Sequence, residues 1–202
     1  MLVVAVPKGR VLGALATLLG KAGIDAAPLL AEGRALVREA GGLRFLLVKP
    51  DDVPTYVEYG AADLGVCGRD VLEERDADLY RPLDLGIGRC RLVVAAPRDA
   101  AAVAVPRVAT KYPRTAARHF ARRGVQAEIV LVQGSVELAP VTGLADVIVD
   151  LVETGSTLVE NGLVERETVA DVTSVLVANR ASYKLRHDDV RRLIDTVRRA
   201  NP

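Results

Sequence analysis

The amino-acid sequence predicts an α/β chain with a mainly parallel sheet flanked by helices, divided into two similar lobes if an internal echo is structural and not a chance likeness of two helix-strand units. Short apolar runs of strand length alternate with segments of helical periodicity, the pattern that crossover helices impose on parallel sheets. One segment also echoes another without a gap. The stretch 53-VPTYVEYGAADLGVCGRD-70 lies over 136-VELAPVTGLADVIVDLVE-153, and both read V…G-x-A-D-[LV]-x-V. No low-complexity linker divides the chain, and 97-PRDAAAVAVP-106 reads as a loop between two blocks.

Strands are expected at residues 1–6, 43–48, 63–66, 91–96, 127–132, 146–151 and 172–179, each an apolar run of strand length. Helices are expected over 10–22, 52–59, 113–123, 135–142, 154–161 and 187–200. The last has the clearest signature, because Val190, Leu193, Ile194 and Val197 fall at i, i+3, i+4 and i+7. Its Arg191, Arg192, Arg198 and Arg199 make a solvated face, with favourable charge near the negative end of the helix dipole. In each echoed unit a short helix ends at a glycine, Gly60 or Gly143, free to turn left-handed, and Ala-Asp then leads into a buried strand. Each unit leaves a polar loop at a strand's carboxyl end, 67-CGRD-70 and 151-LVETGST-157. Open α/β sheets bind ligands at that edge, so two lobes facing one another would make a cleft.

Composition narrows the partners. A formal charge of +1 provides no basic excess for duplex phosphates, and 3% aromatics without Trp provide no base-stacking surface, so nucleic acid is not expected. Cys67 and Cys90 lie outside any metal-like spacing and read as small buried residues in a reducing compartment. His119 and His187 are isolated, and no metal site is expected. The start, 1-MLVVAVPKGR-10, places its charges after the apolar run, unlike a signal peptide, and no run approaches membrane-spanning length. The expectation is a cytoplasmic protein with no membrane partner.

The chemistry concentrates in 146-DVIVDLVETGSTLVENG-162, where a strand becomes a helix. There Thr154, Gly155, Ser156 and Thr157 gather hydroxyls and unpaired N–H groups under the positive end of a helix dipole, a site suited to phosphate. Taken alone, such a run is an N-cap with nothing bound. Asp150 and Glu153 would repel a phosphate they touched, so they address another part of the same ligand: ribose hydroxyls, or a magnesium ion holding further phosphate. A phosphorylated sugar satisfies both halves of the loop. In 7-PKGR-10, Lys8 and Arg10 stand at the end of the first strand as clamps for a second anionic group such as pyrophosphate, with Arg the better bidentate donor.

These residues resemble the ATP phosphoribosyltransferase family, in its short catalytic form. The matching segments are 7-PKGR-10, 50-PDDVPTYVEYGAADLGVCGRDVL-72, 110-TKYP-113, 134-GSVELAP-140, 143-GLADVIVDLVETGSTL-158 and 162-GL-163, in the family's order over nearly the whole chain. The resemblance implies two lobes like the type II periplasmic binding proteins, with the active site in the cleft between them. Lobe I would comprise 1–90 and 176–202, lobe II 91–175, with crossings near 88–93 and 173–179. It implies the first step of histidine biosynthesis: ATP and 5-phosphoribosyl 1-pyrophosphate give N1-(5-phosphoribosyl)-ATP and pyrophosphate, with substrate-bound Mg2+. Thr154, Gly155, Ser156 and Thr157 would hold the 5-phosphate, and Glu137, Asp150 and Glu153 the sugar hydroxyls. The family often has a serine or another small residue where Glu153 stands. Arg10, Lys8 and Arg34 would meet the pyrophosphate and triphosphate groups. Displacement at the anomeric carbon passes through an oxocarbenium-like state and needs no protein nucleophile, which suits a chain without one.

The resemblance also implies a homodimer. Long forms continue into a C-terminal histidine-binding domain, whereas this sequence stops at 187-HDDVRRLIDTVRRANP-202. A separate regulatory subunit resembling histidyl-tRNA synthetase is therefore expected, in a hetero-octamer. Two rival readings are a nucleobase phosphoribosyltransferase and a non-enzymatic two-lobed small-ligand binding module. In the first the two acids are adjacent, but here Leu151 and Val152 separate them. The second explains the echo but not the acids joined to a phosphate loop.

Overall fold

In the computed structural model, which describes residues 1–201, the apolar run LVVAVP forms β1 (Leu2–Pro7), buried on both faces as a central parallel strand is. The chain turns at Gly9 into α1 (Arg10–Lys21), which buries Leu15, Ala16, Leu18 and Leu19. A hairpin follows, β2 (Val37–Ala40) and β3 (Leu43–Val48), then α2 (Val53–Glu58), β4 (Leu64–Gly68), α3 (Arg69–Arg75) and β5 (Tyr80–Asp84). Next come β6 (Cys90–Pro97), β7 (Arg107–Thr110), α4 (Pro113–Arg122), β8 (Glu128–Leu131), α5 (Leu138–Val141), β9 (Val147–Val152), α6 (Ser156–Glu160) and β10 (Leu163–Val172). The chain ends with β11 (Ser174–Ala178), α7 (Arg180–Leu185) and α8 (His187–Ala200). No helix among the described residues is long and apolar enough to cross a membrane.

The chain divides into two units, Met1–Arg89 with Thr173–Pro202, and Cys90–Val172. The first holds a sheet of order β2-β3-β1-β4-β11-β5, the second one of order β10-β6-β9-β7-β8. Both sheets are mixed, which corrects the expectation of mainly parallel ones. The strands joined by crossover helices, β3-β1-β4 and β8-β7-β9, are parallel. The remaining pairings are antiparallel, because β2 reaches β3 through a tight hairpin and because β11 and β6, next to the two points where the chain changes unit, run against β4 and β9. Each sheet is covered on both faces. In the first unit Val190, Ile194 and Val197 of α8 join the cluster around Phe45 and Leu176, while Val53 and Val57 of α2 pack with Val175 on the other side. In the second, α5 and α6 cover Val93, Ala109 and Ile148, and α4 covers Leu92, Val108 and Val149.

The echo in the sequence is a repeated piece of architecture. Gly60 and Gly143 both take left-handed φ, 75° and 71°. Two residues on, the Ala62 N–H reaches back to the Tyr56 carbonyl at 2.9 Å, and the Ala145 N–H to that of Ala139 at 3.2 Å. The aspartates then make the same clasp. The Asp63 carboxylate accepts from the Val3 N–H at 2.8 Å and the Asp146 carboxylate from the Arg107 N–H at 2.8 Å, each fixing the incoming strand to the start of the central one. The run β3-β1-β4-β11 of the first sheet thus answers β8-β7-β9-β6 of the second. Three expected elements begin two or three residues late. The strand over 172–179 breaks at Thr173, whose carbonyl accepts from the Arg69 N–H. The helix over 135–142 begins only at Leu138, after Ser135 in a left-handed turn, and that over 154–161 begins at Ser156, after left-handed Gly155.

Candidate active site

In the second unit β7, β8 and β9 all end on one edge, at Thr110, Leu131 and Val152. Thr110 secures that edge: its buried hydroxyl donates to the Val149 carbonyl at 2.6 Å and accepts from the Tyr112 N–H at 2.9 Å. Thr110 is also the last β7 residue in register with β9, opposite Val149, so Asp150 lies one step beyond the β7–β9 ladder while still opposite Val93 of β6. With Ile148 and Val152 it alternates onto the face covered by α5 and α6. Its Oδ1 accepts from the Leu151 N–H at 2.8 Å. Burial pushes the Asp150 carboxyl up from its ordinary value, the Leu151 N–H draws it down, Glu137 pushes it up and Lys111 draws it down, and the outcome is a raised value. Glu137, half-buried, is the residue from which α5 starts. The charge of Glu137 thus acts on Asp150 although the sequence separates the two residues.

The hydroxyl cluster follows on the same edge. Glu153 and Thr154 are exposed, and the Thr154 hydroxyl lies 3.2 Å from that of Ser156 and accepts from the Ser156 N–H at 3.4 Å. Gly155 holds φ 85° at the start of α6. An added Cβ there would make only ordinary contact with Val152 at 3.8 Å, so the backbone conformation, not space, calls for glycine. Thr157 is exposed in the first turn. In this way Glu137, Asp150, Glu153 and Thr154 to Thr157 lie on one edge of the second unit.

The three basic candidates lie in the first unit. Lys8 follows β1, exposed, with its N–H on the Val48 carbonyl at 2.9 Å. Arg10 opens α1, also exposed, with Nη2 3.4 Å from the Gly88 carbonyl. Arg34 sits exposed in the irregular segment before β2, apart in sequence from the other two. The same strand edge holds the Arg69–Asp84 pair at 2.7 Å, with the Thr173 hydroxyl donating to Asp84 at 2.9 Å. Burial would push the Asp84 carboxyl up, but the Gly86 N–H, the Thr173 hydroxyl and the Arg69 guanidinium together hold it below its ordinary value. A concavity of about 640 Å³ lined by Thr17, Lys21 and Arg89 adjoins this pair, and one of about 690 Å³ lined by Phe120 and Asp146 opens at the amino end of the second sheet. Neither is lined by the acid and hydroxyl groups, and ligands of α/β sheets bind at carboxyl ends, so strand direction locates the site better than concavity does. One charged residue at the site was not singled out in the sequence. Lys111 acts on Asp150 from 110-TKYP-113, between a strand end and a proline-started helix, a segment that carried the family resemblance without a role being assigned to its lysine.

Fold and edge chemistry together define a two-unit α/β ligand-binding protein. The periplasmic VFT2 domain of Bordetella pertussis BvgS shares this fold at a TM-score of 0.62 and 17% identity, over 98% of this chain and 86% of that one. Closer relations are more informative. The ATP phosphoribosyltransferase family model matches residues 49–199. The ATP phosphoribosyltransferase of Sorangium cellulosum is 62% identical over 201 residues, 98% of this chain and 95% of that protein. A solved Thermotoga maritima structure described as an ATP phosphoribosyl transferase (HisG:HisZ) complex contains a chain similar at a TM-score of 0.85 and 35% identity, with 99% and 98% of the two chains covered. The chain belongs to the ATP phosphoribosyltransferase family. It is a glycosyltransferase that joins adenine N1 of ATP to phosphoribosyl pyrophosphate in the first step of histidine biosynthesis.

Proposed function

We propose that the carboxyl edge of the second sheet is the phosphoribosyl pyrophosphate subsite of this reaction. Thr154, Gly155, Ser156 and Thr157 take the 5-phosphate, and Glu137 and Asp150 accept from the ribose hydroxyls, with Glu153 at the rim. The observation that carries this reading is that Glu137 and Asp150 lie on the strand edge that also carries the hydroxyl turn: acids that phosphate alone would repel, on the same edge as donors that phosphate favours. Arg10, with Lys8 and Arg34, receives the pyrophosphate and the triphosphate. As the bond from the anomeric carbon to pyrophosphate breaks, the electron pair leaves with pyrophosphate and adenine N1 supplies the pair for the new bond. The protein's part is then orientation and stabilisation of the departing charge. Magnesium belongs to the substrate in this reading, carried on its phosphates.

The partner is proposed on the same footing. The Thermotoga structure described as a HisG:HisZ complex supports a regulatory subunit of that type, here resembling histidyl-tRNA synthetase, with catalytic dimers assembled into a hetero-octamer. We place the enzyme in the cytoplasm with its substrates. The site is tested by Asp150→Asn, which removes charge without volume. It should lower kcat/KM for phosphoribosyl pyrophosphate about 30-fold, the equivalent of one lost charged hydrogen bond at ~2 kcal/mol, with little change in the KM for ATP. Unchanged steady-state kinetics would take Asp150 out of the site.

A further inference from the structure

Glu137 creates a difficulty for Asp150. Asp150 must be ionised to act purely as an acceptor of sugar hydroxyls, yet the Glu137 charge disfavours its ionisation, and a bound sugar removes the water that screens it. A protonated carboxyl becomes a donor where an acceptor is needed. The fold brings a cation, Lys111, to the strand end beside Asp150. Lys111 is the first residue past β7, and the Thr110–Val149 register sets it alongside Asp150. Asp150 follows Ile148 by two and so lies on the face that α5 covers, and the Lys111 ammonium, 6.0 Å from the centre of the Tyr112 ring, stands close enough for its charge to act on Asp150. The Thr110 hydroxyl, bonded to both Val149 and Tyr112, fixes the turn on which Lys111 sits. Other charges around Asp150 do not replace it. Arg91 of β6 is paired with Glu165 of β10 at 2.9 Å, and Glu153, on the loop to α6, adds a further negative charge.

We propose that Lys111 is a positioning residue of the phosphoribosyl site, whose ammonium group, set beside Asp150 at the end of β7, keeps the Asp150 carboxylate ionised in the presence of Glu137. The proposal rests on the reading of those two acids given above. Lys111 acts through Asp150 and need not touch a reacting atom. Its removal therefore shows as a change in the pH at which the site becomes competent, and less in the limiting rate once Asp150 has lost its proton.

The experiment is the pH profile of kcat/KM for phosphoribosyl pyrophosphate in the wild type, Lys111→Met, Lys111→Arg, Asp150→Asn and the Lys111→Met/Asp150→Asn double variant. Lys111→Met should move the acid limb upward by about one pH unit, the scale of an opposite charge a few ångströms away, with most activity recovered at alkaline pH. Lys111→Arg should restore the limb, and the double variant should show no shift beyond that of Asp150→Asn. Lys111→Gln carries the same test if the Met variant does not fold. An unmoved limb in Lys111→Met, or an equal loss at every pH as expected of direct phosphate contact, overturns the proposal while leaving the acid site standing. A wild-type profile for Asp150→Asn overturns the acid site itself, and the role of Lys111 with it.

Discussion

Asp150 is held half-buried at the end of β9, where burial above all, and then Glu137, leave its carboxyl above the ordinary value despite the Leu151 N–H and Lys111. The consequence for stability has a definite sign. At pH below the ordinary carboxylate value, Asp150 is protonated in both folded and unfolded chains and costs nothing. Above the raised folded value it is ionised in both, and the folded state carries the whole penalty of the burial. Asp150→Asn keeps the Oδ1 that accepts from Leu151 and loses the charge, so at neutral pH the variant should melt at a higher temperature than the wild type. The gap should close as the pH falls through the raised value and below the ordinary one. Paired thermal melts across that range measure it, and equal melting temperatures at neutral pH would mean the site tolerates this charge without cost. The residue was legible in the sequence because an acid at the end of an apolar strand has no use in a core. Lys111 was not, because its role depends on Asp150, which only the register of β7 with β9 brings near it.

At the scale of elements, legibility followed burial. Strands buried on both faces, such as β1, β4, β6 and β9, announce themselves as continuous apolar runs, and α8 by its period. The reading missed β2, β5, β7, β10, α3 and α7. β10 carries Glu165, Arg166 and Glu167 on a half-exposed edge with two register shifts, so no alternation survives to be read. β5 contains Pro82, tolerated because it is an edge strand, and β7 has only 4 residues. The aspartate clasp, by contrast, was visible as the echo, but the partners of each aspartate were not. Asp63, 8% exposed, accepts from Val3, Ser182 and Arg186, each at 2.8 Å. Asp146 is less buried and bonds the Arg107 N–H, with the Arg107 guanidinium at 4.0 Å. The two equivalent residues should therefore differ in value. Asp63→Ala leaves a half-buried guanidinium and two further donors without their acceptor and should cost about 3 kcal/mol, whereas Asp146→Ala loses chiefly one backbone bond and should cost about 1 kcal/mol. Urea titrations of both variants decide it, and equal losses would show that the clasp alone, and not its side-chain partners, sets the cost.

At the scale of the whole molecule, the echo was legible because helix end, Ala-Asp and buried strand recur in both units with one spacing, while strand direction was not. Hydrophobic periodicity is the same in parallel and antiparallel strands, and the direction of β6 and β11 is set by a chain that leaves the first unit after Arg89 and returns at Thr173. The strand edges of both units carry proposed substrate contacts, Lys8 and Arg10 in the first, Glu137 and Asp150 in the second. The proposed regulatory subunit would act by a coupling between substrate sites and a second, effector site for histidine, which we place with that subunit. The purified chain alone should then turn over ATP and phosphoribosyl pyrophosphate with little response to histidine, and calorimetry should find no tight histidine site apart from the ATP subsite. Adding the subunit should bring inhibition. Because coupling is reciprocal, the factor by which histidine weakens substrate binding to the complex should equal the factor by which substrate weakens histidine binding. Tight histidine binding to the isolated chain, competing with neither substrate, would place the effector site in this chain and defeat the proposal.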